Sequence, residues 1–357
     1  MCNKTIDIDV CAKDYKNKLD GVKKRIIICA GTGCVANGSL AVRDAILEEL
    51  ARHNLNVNTD LEKEELKENS HYVSKSGCQG FCQMGPLLRI EPDGILYTKV
   101  KASDAAEIVN ETILGGNVIE RLLYQSPIDG KHYRGDHEIP FYKRQHRIVL
   151  ANCTIEPASI SEYIAKRGYE AARKAFTQMT PEEVCKVLED SGLRGRGGGG
   201  FPTGRKWRLT LASKNDVKYV ICNGDEGDPG AFMDRSVMEG NPHTVIEGMM
   251  IAARAIEATE GYVYVRAEYP LAVERMLAAV KDAERVGILG ENVFGSGRGF
   301  RIHIMEGAGA FVCGEETALI ASIEGKRGMP MPKPPFPAQR GLWGKPTVIN
   351  NVETLET

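Results

Sequence analysis

The chain has no run of ~18 apolar residues, so nothing in it reads as a membrane-spanning helix. Its first twenty residues, Met1 to Asp20, are polar and charged and lack the basic start and apolar core of a secretory leader. No long basic run occurs. With 46 Lys and Arg against 48 Asp and Glu, a net charge of −2, a nucleic-acid partner has no electrostatic support. No internal repeat is present, and the only compositionally biased patch is the proline cluster Pro330 to Pro337. These absences point to a cytoplasmic, soluble protein. At 357 residues, 42% hydrophobic and 26% charged, it can bury two or three cores. Ten cysteines in that setting suggest cluster ligands or free thiols rather than disulfides.

Four of those cysteines carry the strongest chemical signal. Cys29-Ala-Gly-Thr-Gly-Cys34 and Cys78-Gln-Gly-Phe-Cys82 are two glycine-rich loops separated by 43 residues. Glycines at 31, 33, 77 and 80 let backbone N–H groups approach the sulfurs and hydrogen-bond them. A structural zinc site more often shows two Cys-x-x-Cys knuckles, whereas these loops read Cys-x4-Cys and Cys-x3-Cys. A 2Fe-2S cluster fits best, with zinc and buried or redox thiols as the alternatives. The other six cysteines, at 2, 11, 153, 185, 222 and 313, are isolated and read as non-ligands.

Around these loops the pattern is that of a small α/β unit. A β-branched run Arg25 to Ala30 precedes the first loop, and helical periodicity over Gly38 to Asn54 follows it, with Leu40, Ala41, Ile46, Leu47 and Leu50 as apolar positions. Two short strands flank the Pro92-Asp93-Gly94 turn, and a helix from Ser103 stops at Gly115-Gly116. The unit spans 20–118, and the polar, aperiodic stretch 119–147 reads as an interdomain linker. From Ile148 onward helices and strands alternate, which favours a larger α/β domain with a mostly parallel sheet over 148–328. In it Pro181 to Leu193, Pro242 to Ile256 (capped by Asn241) and Leu271 to Val286 read as helices, and Tyr219 to Cys222, Gly261 to Val265 and Phe300 to Met305 as strands.

A second signal is the run from Gly192 to Gly204, in which Arg194 and Arg196 interleave the glycines and Lys206 follows. So many glycines let the main chain lie against a flat or phosphorylated ligand. Gly195, Gly197 and Gly200 satisfy Gly-x-Gly-x-x-Gly, yet the loop follows a helix and leads to Pro202, where a Rossmann loop would follow a strand and open a helix. A flexible linker is the plain alternative, although it would favour serine over arginines and an aromatic. Two acidic clusters, Asn223 to Gly230 and Cys313 to Glu316, stand at the ends of strands, where α/β sheets bind ligands. Paired carboxylates there can bind a metal, act as acid and base, or hydrogen-bond sugar hydroxyls; solvated loop charges are the bland reading.

Gly192 to Trp207, Asn223 to Arg235, Gly307 to Thr317, Lys333 to Gln339 and Gly341 to Thr354 together resemble the NADH-oxidising flavoprotein subunit of respiratory complex I and of NAD(P)-linked hydrogenases. The cysteine module ahead of them is similar to the thioredoxin-like ferredoxin domain of the same enzymes, and the fusion favours the hydrogenase and formate dehydrogenase branch. The resemblance implies an α/β fold with a small thioredoxin-like 2Fe-2S domain before a larger FMN-binding domain. Residues 329–357 would be a nucleotide-pocket segment and the start of a truncated following domain. A 4Fe-4S cluster is expected only in a missing C-terminal region.

What the resemblance implies for activity is an NADH dehydrogenase (diaphorase) subunit: NADH gives a hydride to FMN, and electrons leave singly to iron-sulfur clusters and partner iron-sulfur subunits. By motif, Gly195, Arg196, Gly197 and Lys206 would line the FMN, Asn223 and Asp225 would hold its ribityl chain, and Asn350 and Asn351 would close the phosphate side. Gly314 and Glu315 would complete the cofactor pocket. Phe201 and Phe336 would flank the adenine of NADH, Glu316 and Asp228 would contact the nucleotide, and Lys333 would stand near its phosphates. Cys29, Cys34, Cys78 and Cys82 would hold the 2Fe-2S cluster. No residue is expected to be catalytic in its own right. Phe311 stands where many relatives have tyrosine, and Asp228 is one methylene shorter than the usual glutamate. The alternative is an electron-transfer or assembly subunit whose flavin-type domain is only a scaffold; carboxylates at 228 and 316 would repel a 2′-phosphate, which favours NAD over NADP, though only weakly given the shorter Asp228.

Overall fold

A computed structural model describes residues 5–357, and Cys2 lies outside them. The described chain divides into two compact units, residues 10–166 and the remainder, residues 5–9 with 167–357.

In the first unit five strands form one mixed sheet: β1 (Lys24–Cys29), β2 (Val57–Asn58), β3 (His71–Ser76), β4 (Leu88–Glu91) and β5 (Ile95–Tyr97), in the order β2-β3-β1-β4-β5. β1 and β3 are parallel, with Cys29 opposite Ser76, so both cysteine loops leave the sheet at the same end. Ile26 and Ile28 are buried against Val42, Ile46 and Leu50 of the helix Ser39–Arg52, a spacing of four residues that puts all three on one face. That face differs from the expected one, because Leu40 is 42% exposed and Ala41 also faces solvent.

The stretch 119–147 folds as part of this unit instead of linking it to the next. Ile119, Leu122 and Leu123 join the core, and β6 (Tyr124–Gln125) pairs with β7 (His132–Tyr133). Ile139 and Tyr142 pack beside Phe81, Leu87 and Leu96. The unit also extends past the expected boundary at 148. Ile155, Ile160, Tyr163 and Ile164 are buried, and Glu162 forms a buried bidentate pair with Arg25 at 2.7 and 3.1 Å. Apolar residues here lie too far apart for a local period, so only their long-range partners reveal the fold.

The second unit carries a four-stranded parallel sheet of β8 (Tyr219–Gly224), β9 (Glu260–Arg266), β10 (Arg301–Gly307) and β11 (Thr347–Asn351), in the order β10-β9-β8-β11. The helices Met233–Gly240, Pro242–Ile256 and Pro270–Arg285 make the crossovers β8 to β9 and β9 to β10. The chain then returns across the sheet, placing β11 on the far side of β8. That reversal opens a crevice at the carboxyl ends of β8 and β11, the usual place for a ligand in such sheets. Asn241 sits at the start of Pro242–Ile256, but its side chain makes no capping hydrogen bond.

Helix Pro181–Ser191 begins with a capping box, Thr180 Oγ1 accepting from Glu183 N at 3.2 Å and Glu183 accepting from Thr180 N at 2.7 Å, and ends at Gly192 with φ +71°. The glycine run that follows is closed at its base, where Gly195 N donates to Phe201 O and Thr203 N to Leu193 O, each at 2.9 Å. It is a pinned loop, not a linker. Contrary to the sequence reading it does open a helix, Thr203–Ala212, so it joins helix to helix.

Candidate functional site

The cysteine site is built by close approach of two loops. A Cβ at Gly31 would lie 2.8 Å from Cys78 Cβ, and one at Gly85 would lie 2.6 Å from Cys34 Sγ, so side chains at either position would part the loops. Gly33 likewise faces Cys82. The thiols stand as two pairs. Cys78 and Cys82 have their sulfurs 3.5 Å apart, and Cys29 is hydrogen-bonded to Cys34. That bond, together with burial, pushes the Cys29 thiol up, while accepting it pulls Cys34 down. The bond to Cys82 and burial likewise push Cys78 up. Gly80 N points at Cys78 Sγ from 3.4 Å. Cys82 is the exposed member.

Among the described residues no three His, Cys, Asp or Glu side chains gather about one point as a single ion would need. Two pairs suit a two-iron cluster, in which each iron takes two thiolates. Cys11, Cys153, Cys185, Cys222 and Cys313 lie outside both pairs. The sequence reading missed the cover of this site: Phe81 stacks on Phe141 at 5.1 Å and meets Tyr124 and Tyr142 edge-on, all three from the stretch 119–147.

In the second unit a cavity of about 410 Å³ occupies the crevice between β8 and β11. It brings together Gly195, Gly197, Phe201, Lys206, Asn223, Gly314, Glu315, Glu316, Lys333, Asn350 and Asn351, residues from five separate stretches of sequence. Gly199, Gly200, Ile349 and Thr354, not singled out from sequence for the site, also line it. The glycine loop forms one wall, with open space where side chains at 198, 199 and 200 would project. Gly197 passes so near β11 that a Cβ would lie 3.0 Å from Asn351 Cβ.

Three asparagines hold the walls. Asn223 Nδ2 donates to Gly314 O at 3.0 Å and its Oδ1 accepts from Asp225 N at 3.1 Å. Asn350 Oδ1 accepts from Trp207 Nε1, and Asn351 bonds both Asp234 and Glu353 N. Glu315 caps the helix Glu316–Ile323 by accepting from Thr317 N at 2.8 Å and Ala318 N at 3.0 Å. Burial works against its charge, but those bonds and Lys333 hold its carboxyl below the usual range. Lys333 also pairs with Glu316, whose other oxygen lies 3.8 Å from Lys206 Nζ. Lys206 donates to Ile349 O at 2.6 Å, and burial draws its ammonium down.

The acidic loop splits into three roles. Glu226 is structural: its carboxylate accepts from Asp234 N and Arg235 N and so caps the helix Met233–Gly240. Asp225 has both carboxylate oxygens buried with no hydrogen-bond partner among the described residues, and burial raises its carboxyl. Such an acid costs about 1–3 kcal/mol unless something supplies donors. Asp228 is exposed and stands outside the cavity lining, as does Phe336, which is 54% exposed. Arg196 turns away, pairing with Glu353 at 3.1 Å, while its backbone N donates to Thr354 Oγ1. Arg266, which no local pattern marks, ties the acidic loop to the loop before Phe311 by donating to Glu226 O at 3.0 Å and Gly309 O at 3.1 Å.

An open glycine cradle lined also by a lysine and three asparagines suits a polyhydroxylated, phosphorylated flavin, so these residues fit FMN; the predicted Asp225 stands outside that lining, beside Gly314. Comparison with known proteins agrees. Residues 188–357 match the Nuo51 FMN-binding domain family. The NADP-reducing hydrogenase subunit HndC of Solidesulfovibrio fructosivorans is 62% identical over 214 residues, covering 60% of this chain and 43% of the relative. An NADH-quinone oxidoreductase subunit of Aquifex aeolicus (strain VF5) is 52% identical over 197 residues, covering 55% and 46%. The chain thus spans less than half the length of these curated relatives. A solved NAD+-reducing [NiFe]-hydrogenase matches 98% of this chain and 54% of its own, at 28% identity and a TM-score of 0.50. The stretch that matches this family, 188–357, contains every residue that lines the pocket at the β8–β11 crevice.

Proposed function

We propose that this chain is the flavin-bearing part of an NADH-oxidising subunit in a multisubunit dehydrogenase or hydrogenase, with a 2Fe-2S cluster in its first unit. The observation that carries the reading is the cavity at the β8–β11 crevice, where the open glycine cradle stands in one lining with Lys206, Asn223, Asn350 and Asn351. When bound, FMN takes a hydride from the nicotinamide and passes electrons on one at a time, a change of currency that no side chain here provides. The protein's own contribution is placement. The pinned loop 195–200 would let a flat ring lie against main chain, Asn223 would stand by the ribityl chain with Asp225 behind it beside Gly314, and Arg266 ties the acidic loop to the loop before Phe311. Lys333 and Lys206 flank Glu316, and the three form a charged rim for a dinucleotide.

The first unit would hold the cluster on Cys29 with Cys34 and Cys78 with Cys82, under the aromatic cover of Phe81 and Tyr142. The chain's partners would be further iron-sulfur subunits, and no helix of the described chain is long and apolar enough to cross a membrane. A scaffold role for the flavin-type unit is the contrasting reading, and cofactor content separates the two. Anaerobically purified protein should show flavin absorption that bleaches on adding NADH. Protein that folds without binding added FMN would overturn the proposal.

A further inference from the structure

We propose that Arg147 is a positioning residue that raises the reduction potential of the cluster by acting through the Gln79–Gly80 peptide. The inference rests on the cluster reading above. Gln79 O accepts two hydrogen bonds, from Arg147 Nη2 at 3.0 Å and from Tyr142 OH at 3.1 Å. The other end of the same peptide unit is Gly80 N–H, which points at Cys78 Sγ from 3.4 Å. One planar, resonance-coupled group is therefore clamped by a cation at its oxygen and aimed at a ligand sulfur by its nitrogen. Donation to the oxygen polarises the unit and strengthens the N–H as a donor.

Arg147 is itself held for this task. Its Nη1 reaches Cys153 Sγ at 3.1 Å, its Nε reaches Gln145 Oε1 at 3.2 Å, and its guanidinium lies 4.6 Å from the Tyr142 ring centroid. Gly80 has φ +82°, and a Cβ there would lie 3.4 Å from Arg147 Nη2, so glycine both permits the turn and lets the guanidinium close on the loop. Reduction brings one electron to the site, with no bond made or broken, and in the proposed function the reduced flavin supplies it. The added negative charge spreads over the sulfurs, so an oriented N–H and a nearby cation favour the reduced state over the oxidised one. A merely structural clasp would leave that balance unchanged.

The test is an anaerobic redox titration of the full chain followed by electron paramagnetic resonance, with iron and sulfide measured on the same samples. Arg147→Gln should keep its iron and sulfide yet show a reduction equilibrium about tenfold less favourable, ~59 mV for a one-electron couple. Arg147→Lys should recover part of the shift, and Tyr142→Phe should move in the same direction by less. Cluster-loaded Arg147→Gln at the wild-type potential overturns the inference. If that variant loses its iron, wild-type potentials in both Arg147→Lys and Tyr142→Phe overturn it instead. Wild-type protein without iron and sulfide would remove the cluster reading itself, a result separate from any shift in potential.

Discussion

Asn351 Nδ2 donates to Asp234 Oδ2 at 2.6 Å, joining the end of β11 to the helix Met233–Gly240 beneath the proposed flavin pocket. Its Oδ1 meanwhile accepts from Glu353 N at 3.0 Å, so both ends of the amide are engaged by protein. Asn351 therefore shapes the cavity wall by fixing the end of β11 to that helix.

Burial, with the neighbouring charges of Glu226 and Glu353, pushes Asp234 up to about 7, against the pull of Asn351. The folded state keeps this proton through a range in which the unfolded chain has lost it. Stability from this group is thus complete below pH ~4 and is lost as pH rises through 7. At about 1.4 kcal/mol per pKa unit the loss is on the order of a few kcal/mol. Asp234→Asn should flatten that decline while keeping an oxygen for Asn351. Urea unfolding between pH 4 and 8, read by Trp207 and Trp343, which both lie in the second unit, checks this. A decline of equal size in wild type and variant would assign it to other groups.

At Gly197 the backbone lies so near Asn351 that Gly197→Val should displace the cradle and abolish FMN retention. The measurement is flavin released from purified protein, with circular dichroism to confirm that the variant is folded. Full flavin content in a folded variant would move the cofactor elsewhere.

For the cluster, wild-type protein should contain about two irons and two acid-labile sulfides per chain. Cys78→Ser should lose most of both, since it breaks the Cys78–Cys82 pair. Zinc in place of iron, or normal iron in the variant, is the adverse result.

Glu316 and Asp228 are expected to contribute unequally. Glu316 lines the cavity and pairs with Lys333, whereas Asp228 is exposed and lies off the lining. Glu316→Gln should weaken NADH binding roughly ten- to a hundredfold, equivalent to about 1.5–3 kcal/mol, with a smaller change for Asp228→Asn. Because Lys333 and Lys206 offset the Glu316 charge, repulsion of a 2′-phosphate should be modest, and NADPH should lose less affinity than NADH in Glu316→Gln. Titrations of flavin reduction by both nucleotides decide it; unchanged affinity in both variants would take these residues off the nucleotide site.

Local patterns alone determined much of this protein. The strand before Cys29, the helix Pro181–Ser191 with its terminal glycine, three of the four strands of the parallel sheet (all but β11) and the two cysteine loops are legible because each depends on neighbours within a few residues. The chemistry-bearing residues were legible for the same reason, as short runs of unusual composition. Only the tertiary structure decided which of them face the cavity. It turned Arg196 toward Glu353, left Asp228 and Phe336 exposed, assigned Glu226 to a helix end and left Asp225 without a partner. It also drew 119–166 into the first unit, placing Tyr142 and Arg147 on the loop of Cys78. The Arg196–Glu353 pair and the bonds of Tyr142 and Arg147 to Gln79 join residues more than sixty positions apart, which no local period encodes, because hydrophobic burial and hydrogen-bond pairing are settled by distance in space.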